Sequence, residues 1–274
     1  MNESLNGLII LDKPSNYDSH QVTRLIKGML KVDKIGHGGT LDPKVTGVLV
    51  VGIGRATRLL EYTLKSGKEY VGIMRLHGNV SIKKLRDVIK NEFIGKIKQI
   101  PPVKSAVKRE EREREIYDFE ILEKDRNDFL FRVECESGTY IRKLIHDLGQ
   151  ELGIGGHMLE LRRTREGFFE EKESVSVYDI QKAVNDNDLS KVIKPITVLT
   201  DNFPKLTAKD EFLEKLYNGV PVIDEFLINK QKTRFKKGDL IVIMSVQGKP
   251  VEIAEIADDK QILARPRVVL EREK

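Results

Sequence analysis

Apolar residues follow two different periods along the first 180 residues, and each period predicts a different element. Unbroken apolar runs at residues 7–11 and 47–51 predict short buried strands. Residues 22–30 carry apolar side chains at helical spacing, which predicts a helix with Asp18 or Ser19 at its N-cap. Strand and helix patterns thus occur together within one stretch of chain, and we expect a fold that contains both.

The same two patterns recur further along the chain. Residues 68–76 have the composition of an extended segment, and residues 117–135 alternate on either side of a polar turn, which predicts a β-hairpin. Helices are expected over residues 56–64, after Ser81, and after the segment 137–139.

A boundary is expected near residues 185–205, where a polar stretch and two prolines interrupt the periodic pattern. Beyond it we expect a helix with Thr207 at its cap and Gly219 as its stop, followed by several short strands. One helix and short strands over about seventy residues are typical of a small β-barrel module. We therefore predict two domains, residues 1–197 and residues 198–274.

Composition narrows the class of protein without naming a function. The 274 residues are 39% hydrophobic and 33% charged, no apolar run is long enough to span a membrane, and no secretory signal is recognisable. The single cysteine, Cys135, shares a face with apolar residues of an alternating segment and excludes an internal disulfide. We expect a soluble cytoplasmic protein, and its net charge of +5 permits binding to a polyanion without demonstrating it.

Residues 36–43, Gly-His-Gly-Gly-Thr-Leu-Asp-Pro, place one carboxylate at the end of a loop with little side-chain bulk. Its glycines let another backbone approach closely, and Pro43 biases Asp42 toward an extended conformation. Two interpretations remain open at this point. Asp42 is either a nucleophile for a bulky, flipped-out substrate or the capping residue of an ordinary glycine-rich turn.

Several common kinds of site are excluded by their motifs. Neither the loop at residues 36–41 nor the one at residues 52–57 completes the G-x-G-x-x-G pattern, and no G-K-[ST] follows either loop. The five histidines show no H-E-x-x-H or paired metal-ligand spacing, and no G-x-S-x-G elbow occurs. We therefore expect neither a bound metal nor a cofactor.

Three further positions are candidates for chemistry, each with an ordinary alternative. Tyr70 is either a core aromatic or a ring that meets a substrate. Arg142 lies off the apolar face of its predicted helix, so it points to solvent or to an acid. The basic run 162–165 is typical of an exposed strand or sheet edge, or otherwise of a phosphate contact.

Ordered motifs over about residues 7–197 resemble those of the TruB/dyskerin pseudouridine synthases. In chain order they are Leu11–Pro14 with Ser19-His20, residues 36–47, Lys68–Val71, Ser137–Arg142 and Leu161–Thr164. Residues 101–108 and 192–195 are similar to the archaeal and eukaryotic dyskerin branch. The resemblance implies a fold of the α+β class, with a mixed, largely antiparallel sheet flanked by helices. It also implies isomerisation of uridine to pseudouridine in RNA without a cofactor.

The resemblance also implies roles for individual residues. Asp42 would be the catalytic nucleophile, Tyr70 would stack on the flipped base and help remove the C5 proton, and Arg142 would pair with Asp42 and keep it ionised. The remaining matched positions would meet RNA, with Lys13 more structural than chemical; they are Lys13, His37, Thr40, Tyr140, Arg162 and Arg163.

The short connection after residue 76 favours the RNA-guided branch, whose partners are an H/ACA guide RNA and small proteins of the Nop, Gar and kink-turn-binding types. A guide-independent synthase acting on the tRNA T-loop is the alternative, and a non-catalytic RNA scaffold is a third. The C-terminal module resembles a PUA domain through residues 235–242 and Gly219, but departs from it at residues 221–224. Four acids interrupt the arginines of residues 109–115, which predicts a weaker grip on RNA there.

Overall fold

The computed structural model describes residues 5–100, 110–228, 235–259 and 261–270, apart from the side chains of residues 64 and 65. The dyskerin-like motif at residues 101–108 lies outside the described residues, as does the first arginine of the run 109–115. Within these ranges, no helix is long and apolar enough to cross a membrane.

The regular elements alternate between strands and short helices along the chain. The helices are α1 (Ser19–Leu30), α2 (Leu60–Lys65), α3 (Ile82–Glu92), α4 (Ile141–Glu151), α5 (Val177–Asn185) and α6 (Leu213–Tyr217). The strands are β1 (Gly7–Lys13), β2 (Ile35–His37), β3 (Thr46–Ile53), β4 (Lys68–Leu76), β5 (Gly95–Gln99), β6 (Arg112–Asp125), β7 (Asp128–Cys135), β8 (Gly156–Glu166), β9 (Phe169–Glu170), β10 (Lys205–Thr207), β11 (Leu240–Met244), β12 (Pro250–Ile256) and β13 (Ala264–Val269).

Two sheets organise the described residues. The larger runs in the order β1-β3-β8-β4-β7-β6-β5, with β2 added to β3 and β9 added to β8. All its neighbours are antiparallel except β3 and β8, which are parallel and pair Thr46 with Arg162 and Gly47 with Arg163. This mixed, largely antiparallel sheet with flanking helices confirms the predicted α+β class.

Local sequence explains several of the element boundaries. The side chain of Asp18 accepts a hydrogen bond from the Gln21 amide, so Asp18 is the N-cap of α1 and Ser19 is its first residue. Ser81 caps α3 in the same way, and β4 occupies the predicted residues 68–76. The predicted hairpin is formed by β6 and β7, whose inward side chains alternate as a half-buried sheet requires.

Three apolar clusters hold the first two hundred residues together. One lies between β4, β6 and β7 and the helices α3 and α4, and it contains the Cys135 thiol. The second joins β1 and β3 to α1 and α5. The third joins the opposite face of β1 and β3 to the C-terminal sheet, since it contains both Leu8 and Val242.

The C-terminal residues form a four-stranded sheet in the order β10-β11-β12-β13, with its own cluster of apolar side chains. The prediction that Thr207 caps a helix is wrong. Thr207 ends β10, which pairs in parallel with β11, and α6 begins only at Leu213 after one turn of 3-10 helix. Gly219 does follow this helix, in the left-handed conformation with φ of 77°.

Candidate active site

The loop between β2 and β3 carries Asp42 and is held by hydrogen bonds along most of its length. The Gly38 amide donates to the Val50 carbonyl, and the Asn16 amide donates to the Pro43 carbonyl at 2.8 Å. The Leu41 amide donates to Ser19 Oγ at 2.8 Å, and the Ser19 hydroxyl in turn donates to the Leu41 carbonyl at 3.3 Å. The backbone on either side of Asp42 is therefore fixed while its side chain stays outside.

The glycines of this loop are required by the protein itself. A Cβ at Gly38 would lie 2.2 Å from Thr63 Oγ1, and one at Gly39 would lie 2.7 Å from a Glu166 carboxylate oxygen. Gly47 has a φ of 97° and faces the backbone of Arg163, where a Cβ would lie 2.2 Å from its carbonyl oxygen. The expectation that the bare loop leaves room for another molecule is wrong for Gly38 and Gly39, because both residues are buried against protein side chains.

Asp42 and Arg142 form an ion pair at the surface. Arg142 Nη2 lies 2.7 Å from Asp42 Oδ2, with the two side chains 55% and 47% exposed. Arg142 is the second residue of α4, whose opposite face supplies Ile141, Leu144 and Ile145 to the core. The predicted pairing of Asp42 and Arg142 is therefore confirmed, as is the outward orientation of Arg142.

A buried side chain also holds the backbone that precedes Arg142. The Gln99 carboxamide accepts a hydrogen bond from the Tyr140 amide at 3.0 Å and donates one to the Tyr140 carbonyl at 3.3 Å. Gln99 is almost fully buried, at 2% exposure. Ser19 thus holds the backbone of the residue before Asp42, and Gln99 holds that of the residue two positions before Arg142.

Tyr70 lies beneath the loop, in the third position of β4. Its side chain is 7% exposed and packs in the same cluster as Leu41 and Val45, which flank Asp42. Burial is the main cause that raises the pKa of Tyr70 to about 12, so its hydroxyl is protonated at neutral pH. The structure brings Tyr70 to the same loop as Asp42 and Arg142.

Arg163 lies at the centre of a buried ionic cluster. Its guanidinium is 1% exposed, donates to the carbonyls of Val48 at 2.6 Å and Gly39 at 3.0 Å, and pairs with Glu166 at 3.0 Å. Lys68 Nζ completes the cluster 4.0 Å from Glu166. Burial raises the pKa of Glu166, whereas the positive charges of Arg163 and Lys68 act to lower it. Burial also lowers the pKa of Lys68.

The position of Arg163 contradicts the expected exposed strand edge, because β8 lies between β3 and β4 within the sheet. The Arg163 side chain is buried, and its bond to the Gly39 carbonyl stabilises the Asp42 loop from the interior. Lys13 has a comparable place: it is fully buried, and its ammonium donates to the carbonyls of Tyr17 at 2.6 Å and Pro43 at 3.2 Å. This agrees with the structural role expected for Lys13.

Arg162 points to the opposite face of β8 and is already engaged by two acids. Its guanidinium binds both carboxylate oxygens of Asp12, at 2.8 and 3.1 Å, and Nε binds Glu171 at 2.7 Å. These hydrogen bonds, that to Asp12 above all, raise the pKa of Arg162 further. A phosphate could bind Arg162 only in competition with Asp12 and Glu171.

The remaining predicted residues lie around the entrance to the loop. His37 ends β2, and neither of its ring nitrogens has a hydrogen-bond partner among the described residues; its ring meets that of His20 edge-on at 4.8 Å. Burial, followed by the neighbouring His20 and Arg163, lowers the pKa of His37 to about 4, so the imidazole is neutral. Thr40 is exposed beside Asp42, and half-buried Tyr140 is the N-cap residue of α4.

Sequence reasoning missed three residues that organise this site, namely Ser19, Gln99 and Glu166. Of these, only Glu166 has a local signal, since it is an acid directly after four positions that hold three arginines and stands three residues from Arg163. Ser19 was named only as a candidate helix cap and as part of a family motif, and its partner Leu41 lies 22 residues away. Among the described residues, no group of three or more His, Cys, Asp or Glu side chains is suited to hold a metal ion.

The geometry is suited to nucleophilic chemistry on a substrate that reaches the surface. Asp42 presents a carboxylate whose Oδ2 is occupied by Arg142, and no other hydrogen bond from the described ranges reaches Oδ1. The guanidinium places a positive charge beside the carboxylate, and the fixed backbone limits the orientations that Asp42 can adopt. Tyr70, whose phenol is neutral, packs in the same apolar cluster as Leu41 and Val45 of this loop.

Comparison with known proteins identifies the family. The model of the TruB family pseudouridylate synthase N-terminal domain matches residues 27–141, and that of the tRNA pseudouridylate synthase B C-terminal domain matches residues 142–200. A probable tRNA pseudouridine synthase B from Methanothermobacter thermautotrophicus is 44% identical over 91% of this chain and 78% of its own length. One from Sulfurisphaera tokodaii is 41% identical over 97% of this chain and 82% of its own length.

Solved structures match the fold over nearly the whole chain. A chain in the crystal structure of a Cbf5-Nop10-Gar1 complex has a TM-score of 0.85 and 39% identity, covering 96% of this chain and 84% of its own. A chain in the structure of an H/ACA RNP bound to a substrate RNA containing 2'-deoxyuridine has a TM-score of 0.82 and 36% identity, covering 97% and 85%. With two family models that together span residues 27–200, this chain belongs to the TruB family of pseudouridine synthases, enzymes that isomerise uridine in RNA.

Proposed function

We propose that this enzyme converts uridine to pseudouridine as the catalytic subunit of an RNA-guided ribonucleoprotein, with Asp42 as its nucleophile. The observation that carries the proposal is the exposed Asp42–Arg142 pair, set on a rigid loop above Tyr70. The likeness of nearly the full chain to chains in the H/ACA and Cbf5-Nop10-Gar1 structures supports the guided form.

In this mechanism the target uridine leaves its stack and enters the space above Tyr70, at a cost of a few kcal/mol. Asp42 bonds to C1′ of the ribose as the N-glycosidic bond breaks; the base then rotates, and C5 bonds to the same carbon as the bond between Asp42 and C1′ breaks. The C5 proton is lost and N1 gains one, so the product is an isomer of the substrate. No external group or electron is needed.

Tyr70 and Arg142 have distinct parts in this proposal. Stacking of the flipped base on the Tyr70 ring would return about 1–3 kcal/mol of the unstacking cost. Because its pKa near 12 keeps the phenol protonated, Tyr70 would take up the C5 proton only while giving up its own. Arg142 would hold the Asp42 carboxylate in a fixed orientation until the substrate arrives.

The C-terminal sheet would serve as a PUA-like RNA-binding module, with residues 1–197 as the catalytic domain. The partners we propose are a guide RNA and small proteins of the Nop, Gar and kink-turn-binding types, by analogy with the complexes in which the similar chains occur. The second candidate is a stand-alone tRNA synthase, which is favoured by the names of the curated relatives.

One set of assays separates the two candidates and tests the nucleophile. Pseudouridine formation is measured on a bare tRNA transcript and on a guided target, each with and without the partner proteins. Conversion of the guided target only when partners are present supports the guided form, whereas conversion of bare tRNA by the enzyme alone supports the stand-alone form.

Asp42→Asn should abolish conversion of either substrate while RNA affinity stays near that of the wild type. Asp128→Asn is a matched control, because Asp128 also pairs with an arginine, Arg75, but at the far end of β4 and β7. Near-normal conversion by Asp42→Asn, or equal loss in both variants, would exclude Asp42 as the nucleophile.

A further inference from the structure

Three exposed cations lie along helix α1 and at its C-terminal end, and the helix begins next to the active site. Arg24 and Lys27 stand three residues apart on one face of α1, and Lys31 follows as the C-cap residue, in the left-handed conformation with φ of 51°. The opposite face of α1 is buried through Val22 and Ile26. We call Arg24, Lys27 and Lys31 the basic stripe.

Among the described residues, the basic stripe lacks the acid partner that several other surface cations of this protein have, a property it shares with the exposed lysines of α3. Arg75, Lys96 and Arg132 each bind at least one carboxylate on a neighbouring strand. Within the part of the chain that the structure describes, no carboxylate lies within ion-pair distance of the basic stripe. Its three charges therefore remain available to an external anion.

The helix directs the basic stripe away from the catalytic loop. Its first residue, Ser19, is bonded to Leu41, and its second, His20, meets the ring of His37. His20 continues the same face one turn before Arg24. At a rise of 1.5 Å per residue, the cations extend from there over about 16 Å.

A row of fixed, evenly spaced positive charges suits a ligand with repeated negative charges. The phosphate backbone of RNA has this chemistry, and backbone contacts position a nucleic acid without reading its sequence. We propose that the basic stripe binds the backbone of the RNA strand that leads to the target uridine, an inference that rests on the proposed function. The strand belongs either to the substrate or to a guide RNA.

The expected effect follows from counterion release. Each phosphate neutralised on a single strand contributes about 0.7 to the slope of log affinity against log salt, so three contacts contribute about 2. Loss of the basic stripe should therefore weaken RNA binding by about 100-fold at 0.1 M salt relative to 1 M salt. At 1 M salt the variant and the wild type should bind with similar affinity.

The test compares two triple variants with the same change in charge. Arg24→Gln, Lys27→Gln and Lys31→Gln together remove the basic stripe. Lys83→Gln, Lys84→Gln and Lys90→Gln together remove three exposed lysines from α3 and serve as the control. Binding of a labelled substrate RNA and of a labelled guide RNA is measured by fluorescence anisotropy from 0.1 to 1 M salt.

A slope reduced by about 2 in the stripe variant alone supports the proposal, and the RNA that shows it identifies the bound strand. An unchanged slope with both RNAs, or an equal reduction in the α3 control, overturns it. Because binding is measured without turnover, the result is independent of catalysis. Failure of every RNA to be converted would instead count against the proposed function.

Discussion

The close packing of Gly38 predicts that Gly38→Ala destabilises the fold rather than only impairing RNA binding. The added Cβ would lie 2.2 Å from Thr63 Oγ1, far inside any normal contact. Gly38 does not have a left-handed φ, so the penalty is purely steric. Overpacking of a buried site costs about 1–3 kcal/mol, and we expect the upper half of that range here.

A double-mutant cycle with Thr63 isolates this clash. Thr63→Ala alone should cost about 1–2 kcal/mol, because it removes a buried methyl group and the hydrogen bond from Oγ1 to the Leu60 carbonyl. It also removes the atom that Gly38→Ala would strike. The double variant should therefore be more stable than the sum of the single variants implies, by about 1–2 kcal/mol.

Urea unfolding of the four proteins measures these free energies, and RNA affinity is measured alongside. Gly28→Ala is the matched control, since a Cβ at Gly28 meets nothing within 4 Å in α1 and should slightly stabilise the helix. Gly38→Ala with wild-type stability but weakened RNA binding would show that the glycine makes room for RNA, against our reasoning. Simple additivity with Thr63→Ala would do the same.

Two further predictions concern residues next to the same loop. Ser19→Ala leaves the buried Leu41 amide without its acceptor, at a cost of about 1–3 kcal/mol, and should slow conversion at saturating RNA at least 10-fold. Thr200→Ala, which also loses a buried hydroxyl, is the control and should leave that rate unchanged. Equal rates for the two variants would refute the role of Ser19. The pKa of His37 is about 4 when folded and 6.5 ordinarily, so the unfolded chain binds the extra proton. The stability contributed by neutral His37 is complete above pH 6.5 and is lost as the pH falls toward 4, by at most about 3 kcal/mol. Urea unfolding at pH 7 and pH 4.5 should show a smaller loss for His37→Gln than for the wild type, and parallel losses would contradict the shift.

Elements with a clear local pattern were predictable from the sequence. β4 and the helices capped by Asp18 and Ser81 lie where periodicity and capping residues place them, because both signals act within a few residues. The short strand β10 was not predictable, since three residues carry too little pattern and its partner β11 lies more than thirty residues away. Thr207 was therefore assigned to a helix cap.

The reactive residues of the site were predictable from the sequence, but the residues that hold them in place were not. Family resemblance selected Asp42, Tyr70 and Arg142, which the structure brings to one loop. It also grouped both Arg162 and Arg163 with the RNA contacts, although Arg162 is partly exposed and Arg163 is buried. Neighbouring residues of β8 point to opposite faces of the sheet, and burial depends on what packs on each face. A run of charged residues has no local pattern that reveals which face is covered.

The long sequence separation of the contacts around Asp42 has a consequence for how the enzyme is made. The guanidinium of Arg163 reaches carbonyls 115 and 124 residues earlier in the chain, and Glu166 accepts from an amide 116 residues earlier. Such non-local closures form late in folding, because their loop entropy must be overcome first. During synthesis the nucleophile emerges well before β8, and its loop can be locked only after β8 has left the ribosome. A nascent chain would therefore carry Asp42 without an organised site while more than a hundred further residues are added, and catalytic competence would be one of the last properties that the catalytic residues acquire.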